Sequence, residues 1–240
     1  MNFCFVSIVL NLKFINRLDG KNFYTVFRRV KKLIDDVKNE LVLVHLDLDS
    51  PESVLYVPIV LAIISEKNNN AFYFVAKKEE ISAESDRLGC RVIITADPCH
   101  HDVLHENKII VDIQDKPASK IPEDTVYVIK TSGSTGAAKT VYVTNSSVVP
   151  NIIDMASELG VSSKDVILLS SPPTFDPHII DVFLCAYANA TLLIRPRQQL
   201  QSGDVELETV TILHCTPSLL LRVSSSPRLR VVNILKELKD

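Results

Sequence analysis

A chain of 240 residues with 46% hydrophobic and 23% charged content carries enough apolar mass for a substantial core in one domain, or at most two. Its formal net charge of −3 and pI near 6.1 supply no field for nucleic acid or an anionic membrane, so a small molecule is the expected partner. The five cysteines, Cys4, Cys90, Cys99, Cys185 and Cys215, are odd in number and lack CxxC spacing, which argues against a disulfide framework or zinc module and for a reducing compartment.

Residues 3–10 (FCFVSIVL) have no basic residue before them and no small-x-small pattern after them, so they read as a strand or stray N-terminus rather than a leader. Residues 1–20 are set apart as an N-terminal segment without an assigned place. Neither this run nor Ile59 to Ile64 approaches the ~20 apolar residues of a membrane span, and a cytoplasmic protein is expected. Over 22–38, Phe23, Val26, Phe27, Val30, Leu33, Ile34 and Val37 recur at helical spacing opposite a mixed charged face, which predicts an amphipathic helix packed on a core.

Leu41 to Leu46 (LVLVHL) reads as a buried parallel strand, with Asp47 and Asp49 solvating its end rather than holding a metal. Ser50 is the expected cap of the next helix, Pro51 suits its first turn, and Pro58 is expected to kink it. A strand over 71–76, a helix near 79–88 ended by Gly89, and strands over 91–95 and 108–113 continue an α/β alternation. Between those last strands lie Cys99, His100, His101 and His105. Adjacent side chains there diverge, so an exposed polar connection is expected, not a metal site.

Lys130 to Asn145 reads KTSGSTGAAKTVYVTN and is built to hold phosphate. Gly133 and Gly136 free the backbone to turn its N–H groups inward. Thr131, Ser132, Ser134 and Thr135 add hydroxyls, and Lys139 adds a positive charge. GSTGAAKT fits the Walker pattern except at Ala138, but a Walker loop opens a helix at its Lys, whereas TVYVT alternates like a strand. Strands near 126–130 and 140–144 are therefore expected to flank the loop. A helix from Asn145 or Ser146 to about Leu159, a strand over 165–169, a helix after SSPPTFDP, strands over 191–194 and 210–214, and a helix opened by Thr216 and Pro217 complete the alternation.

The loop and its leading strand, YVIKTSGSTGAAK, resemble the TSGTTGxPK signature of the acyl-adenylate-forming, or AMP-binding, superfamily. Downstream, VVPNI (148–152), SSPPTFDPHIIDVF (170–183) and TPSLLLR (216–222) fall in the order of its amino-acid-activating branch, and are most similar to its β-alanine-activating group. The resemblance implies a fold: the first half of the large N-terminal domain of an adenylate-forming enzyme, an α/β unit with a largely parallel, layered sheet and helices on both faces. Residues 21–240 would be a partial adenylation domain.

The resemblance also implies chemistry. A carboxylate reacts with ATP and magnesium to give an acyl-AMP and pyrophosphate, and the acyl group passes to a phosphopantetheine thiol, with a carrier-protein domain as a possible partner. Thr131, Ser132, Gly133, Ser134, Thr135, Gly136 and Lys139 match the loop over the β- and γ-phosphates. Asp176 in PTFDP matches the carboxylate that pairs with the amine of an amino-acid substrate, β-alanine favoured; its competing role is to cap the following helix. His178 receives no catalytic role. No residue is assigned as catalytic or as a metal ligand.

Several features depart from the family pattern. Ala138 replaces a Pro and Thr140 a Gly, and KNNNAFYFVAKKE stands where the family carries AYVPxD. The YGPTE-type segment, the ribose-binding Asp, the hinge and the late catalytic Lys have no counterpart among these residues, as in a truncated form or incomplete gene model. The second reading is thus a non-catalytic remnant that binds nucleotide weakly or serves as an interaction module, with a Walker-type nucleotidase third.

Overall fold

The computed structural model describes residues 13–15, 20–49, 51–65, 68–96, 109–131, 138–195, 197–202, 207–221 and 230–233. Its strands divide between two sheets, where the sequence reading anticipated one. The first comprises β2 (Leu41–Val44), β3 (Ala71–Phe74), β4 (Val92–Ala96), β5 (Ile109–Ile113), β6 (Thr125–Thr131) and β7 (Lys139–Thr144), in the order β5-β4-β2-β3-β6-β7. Its four inner strands are parallel, and β5 and β7 close the two edges antiparallel. The second, all parallel, is β1 (Lys13–Ile15), β9 (Thr191–Leu193), β8 (Val166–Leu168), β10 (Ile212–Cys215) and β11 (Arg230–Asn233).

Period-two alternation explains how the sheets share a core. In the first sheet Val42, Val44, Phe72, Phe74, Val92 and Ile94 face one way, and in the second Ile167, Leu192 and Ile212 face back toward them. Between them lie α1 (Gly20–Leu33), α2 (Tyr56–Ile63), α4 (Asn145–Glu158) and α5 (Asp176–Ala188), all contributing to the same cluster. The opposite face of the first sheet, with Leu41, Leu43, Tyr73 and Val128, is covered by Ile81 and Leu88 of α3 (Ile81–Leu88). The opposite face of the second sheet packs Leu168, Leu193 and Leu213 on Leu200 of α6 (Arg197–Ser202) and Leu219 of α7 (Pro217–Leu220). The expected layering, with helices on both faces of each sheet, is present.

Local signals account for most boundaries. Gly89 ends α3 in the left-handed region at φ +67, and Gly160 follows α4 at φ +57, as a Cβ-free residue permits. Thr216 caps α7, its side chain accepting from the Leu219 N–H at 3.4 Å. Pro58 does not kink a helix: residues Pro51–Leu55 form a 3-10 turn and α2 starts at Tyr56, so Pro58 lies in the first turn, where an N–H has no intrahelical partner to lose. Neither Asn145 nor Ser146 caps α4. The cap position is Thr144, and the Asp124 carboxylate accepts from the Ser146 N–H at 2.8 Å. Ser50 and the segment bearing Cys99, His100, His101 and His105 lie outside the described residues. Among the described residues, no helix is long and apolar enough to cross a membrane.

Candidate functional site

The site is built on the β6–β7 hairpin. The strands pair antiparallel with Thr131 opposite Lys139 and Lys130 opposite Thr140, and no helix begins at Lys139, which overturns the Walker alternative. Ser132, Gly133, Ser134, Thr135 and Gly136 lie outside the described residues. Thr131 is half-buried and Lys139 exposed, at the point where the described hairpin strands end.

Directly opposed residues of an antiparallel pair share a face. Tyr127, Ile129 and Val143 pack into the central helix layer, so Thr131, two positions beyond Ile129, and Lys139, opposite Thr131, turn to that same side. Lys130 and Thr140 turn to the α3 side, as Val128 does. A register shift between Thr125 and Tyr127 places a bulge at the base of β6, and with it both Val126 and Tyr127 reach the central core.

Asp176 stands on the first turn of α5. The extended Phe175 occupies the cap position and makes no side-chain cap hydrogen bond, so capping by Asp176 is not what the structure shows. Instead Asp176 Oδ1 accepts from the Tyr127 hydroxyl at 2.5 Å. Tyr127 is buried and stacked on Phe72, with centroids 6.0 Å apart. Burial, and then the Asp176 carboxylate, push the phenol's pKa well up, which keeps it a proton donor. Asp176 is half-buried, and its Oδ2 has no hydrogen-bond partner among the described residues. Strand β6 thus carries Thr131 at its end and grips Asp176 four residues earlier, about 13 Å along the strand.

His178 is in the same helix but belongs to the core. Its Nδ1 donates to the Ser171 carbonyl at 2.5 Å, and its ring meets Tyr56 edge-on with centroids 4.8 Å apart. Burial pushes its pKa down to about 4, so the imidazole is neutral. A cleft of about 40 Å³ beside it is lined by Tyr56, Ser171, Pro173, His178 and Arg195, and by neither Asp176 nor Lys139. That volume holds a few waters rather than an amino acid or a nucleotide.

Among the described residues, no three His, Cys, Asp or Glu side chains cluster as a metal site. Sequence reasoning singled out Thr131, Lys139 and Asp176 and did not single out Tyr127, which holds Asp176. The phenol has no motif of its own, and its alternation in YVI marks it only as a core-facing strand residue.

The two layered sheets with their helices match the N-terminal domain of adenylate-forming enzymes in fold. The AMP-binding enzyme profile matches residues 28–239, and the chain belongs to that family. It is similar to the beta-alanine-activating enzyme of Danio rerio, 40% identical over 106 residues, which are 42% of this chain and 9% of the relative. It is likewise similar to the Homo sapiens beta-alanine-activating enzyme, 39% identical over 105 residues, 41% of this chain and 10% of the relative. The chain therefore spans about a tenth of the length of these curated relatives. In fold it is similar to a four-domain nonribosomal peptide synthetase bound to AMP and glycine, with a TM-score of 0.73 and 14% identity over 96% of this chain and 19% of that one.

Proposed function

We propose that this chain forms the phosphate-binding and amine-reading part of a cytoplasmic enzyme that activates a small amino acid, β-alanine first, with ATP and magnesium. The substrate's carboxylate oxygen attacks the α-phosphorus, the bond to the β-phosphate oxygen breaks, and aminoacyl-adenylate and pyrophosphate result. The thiol of a phosphopantetheine on a carrier domain then attacks the acyl carbon, the acyl–phosphate bond breaks, and AMP leaves. The substrate supplies its own nucleophile, so the protein's contribution is position and charge. Residues 132–136 would give backbone and hydroxyl donors to the β- and γ-phosphates, Lys139 would balance their charge, and Asp176 Oδ2 would pair with the substrate ammonium.

The observation that carries this reading is the Tyr127–Asp176 hydrogen bond, which ties the carboxylate to the strand that runs into the loop. An amino acid paired at Asp176 and a nucleotide held at 131–139 would then be positioned by one element. Similarity to the beta-alanine-activating enzymes of Danio rerio and Homo sapiens favours β-alanine. The test is exchange of labelled pyrophosphate into ATP by the native protein. β-Alanine should support exchange and fatty acids should not; the reverse pattern sinks the substrate assignment.

A second reading is a non-catalytic module that binds nucleotide weakly through the strand ends bearing Thr131 and Lys139. Titration of the 240-residue chain with ATP addresses it. Weak binding that Lys139→Ala removes, combined with no exchange by the native protein under any substrate, would establish the module.

A further inference from the structure

The α3 side of the hairpin carries a charged cluster that the phosphate reading does not use. At its centre is Glu84, whose side chain is 10% exposed. Its Oε2 accepts from the Tyr73 hydroxyl at 3.0 Å and from Arg87 Nε and Nη2 at 2.9 and 2.5 Å. Its Oε1 accepts from Lys130 Nζ at 2.8 Å, and Arg87 Nη1 reaches on to Thr140 Oγ1, also at 2.8 Å. One carboxylate on α3 therefore holds β6 directly through Lys130 and β7 indirectly through Arg87 and Thr140.

An exposed ion pair contributes little, but this carboxylate is sheltered and saturated by donors from three residues. Burial alone would raise its pKa, yet the hydrogen bonds from Arg87, Lys130 and Tyr73 outweigh that effect and hold it at about 2. Lys130 and Thr140 are opposed to each other one position before the Thr131–Lys139 pair. Fixing them fixes the strand ends from which Thr131 and Lys139 project to the other side. The same contacts hold the charges of Lys130 and Arg87 on the α3 side, whereas no carboxylate pairs with Lys139 among the described residues.

We propose that Glu84 is a positioning residue for polyphosphate binding: acting through Lys130, and through Arg87 on Thr140, it fixes the strand ends that present Thr131 and Lys139. The inference rests on reading 131–139 as the triphosphate loop. Its chemistry is that of a brace, in which no bond of the ligand is touched and preorganised donors are kept in register.

The test uses the 240-residue chain and inorganic tripolyphosphate, titrated calorimetrically, with amide exchange measured at the β6 and β7 ends. Glu84→Gln keeps the shape and removes the charge. Thr140→Val keeps charge and β-branching and removes only the Arg87 acceptor, which makes it the informative variant where Glu84→Gln impairs folding. Affinity should fall about tenfold in Glu84→Gln and about threefold in Thr140→Val, with faster exchange at the strand ends and melting curves that remain cooperative. Folded variants that bind tripolyphosphate as the unaltered chain does would overturn the proposal, even with faster exchange, because the brace would then serve the fold alone. An unaltered chain that binds no tripolyphosphate at millimolar concentration would overturn the loop reading and this inference together, a result distinct from equal binding by all three proteins.

Discussion

The Tyr127 hydroxyl donates to Asp176 Oδ1 at 2.5 Å, joining β6 to the first turn of the helix that begins at Asp176. Removal of the phenol oxygen leaves Asp176 in place but unheld. Tyr127→Phe should raise the KM for the amino acid in ATP–pyrophosphate exchange by the native protein about tenfold and leave the KM for ATP unchanged. Asp176→Ala should remove the preference for an amine altogether. A Tyr127→Phe protein with both KM values unaltered would separate Tyr127 from the amine site.

Acid should destabilise the chain in two successive windows. Burial depresses the folded pKa of His178 from 6.5 to about 4, so the unfolded state binds its proton first, and stability present above pH 6.5 is lost as pH falls toward 4. Glu84 is depressed from 4.5 to about 2, so its contribution is present above pH 4.5 and lost as pH falls toward 2. His178→Asn, which keeps a donor for the Ser171 carbonyl, should flatten the first window in thermal melts and leave the second. Glu84→Gln should do the converse.

Asp181 of α5 and His214 of β10 form a hydrogen-bonded pair buried within the core. Burial pushes the Asp181 carboxyl upward, and the neighbouring His214 counteracts it. Asp181→Ala removes one side of this buried pair and should lower stability by about 3–5 kcal/mol in urea unfolding. A loss below about 1 kcal/mol would mean that the site relaxes or hydrates freely.

Incubated by itself with ATP, magnesium and β-alanine, the 240-residue chain should give no aminoacyl-AMP above blank. The proposed site contacts only the phosphates and the amine, and each further group that stabilises a transition state commonly accounts for about a hundredfold in rate. Mass-spectrometric detection of steady product formation by the pure chain would refute this.

The hairpin was legible because TVYVT alternates with β-branched and aromatic residues directly after Lys139, and Gly89 was legible because a helical period stops at a residue free to take positive φ. Asp176 was singled out through its motif, but its hydrogen-bond partner was not legible, because Tyr127 lies on a strand 49 residues away. The division into two sheets was hidden for a related reason. A strand buried on both faces reads the same in either sheet, and only the shared helix layer reveals which faces meet. Glu84 lies on a short helix with charged neighbours, where its sequence context gives no hint that a buried carboxylate joins two strands.

The alternation along β6 also sets how this segment can change in length. Deleting or inserting one residue between Tyr127 and Lys130 would rotate every later side chain to the opposite side, sending Thr131 toward α3 and Lys130 toward Asp176. Changes of two residues would preserve the sidedness but move the strand end by about 7 Å. Relatives of this chain should therefore confine their length variation to the stretch between Thr131 and Lys139, and keep the spacing from the tyrosine to the first loop threonine constant.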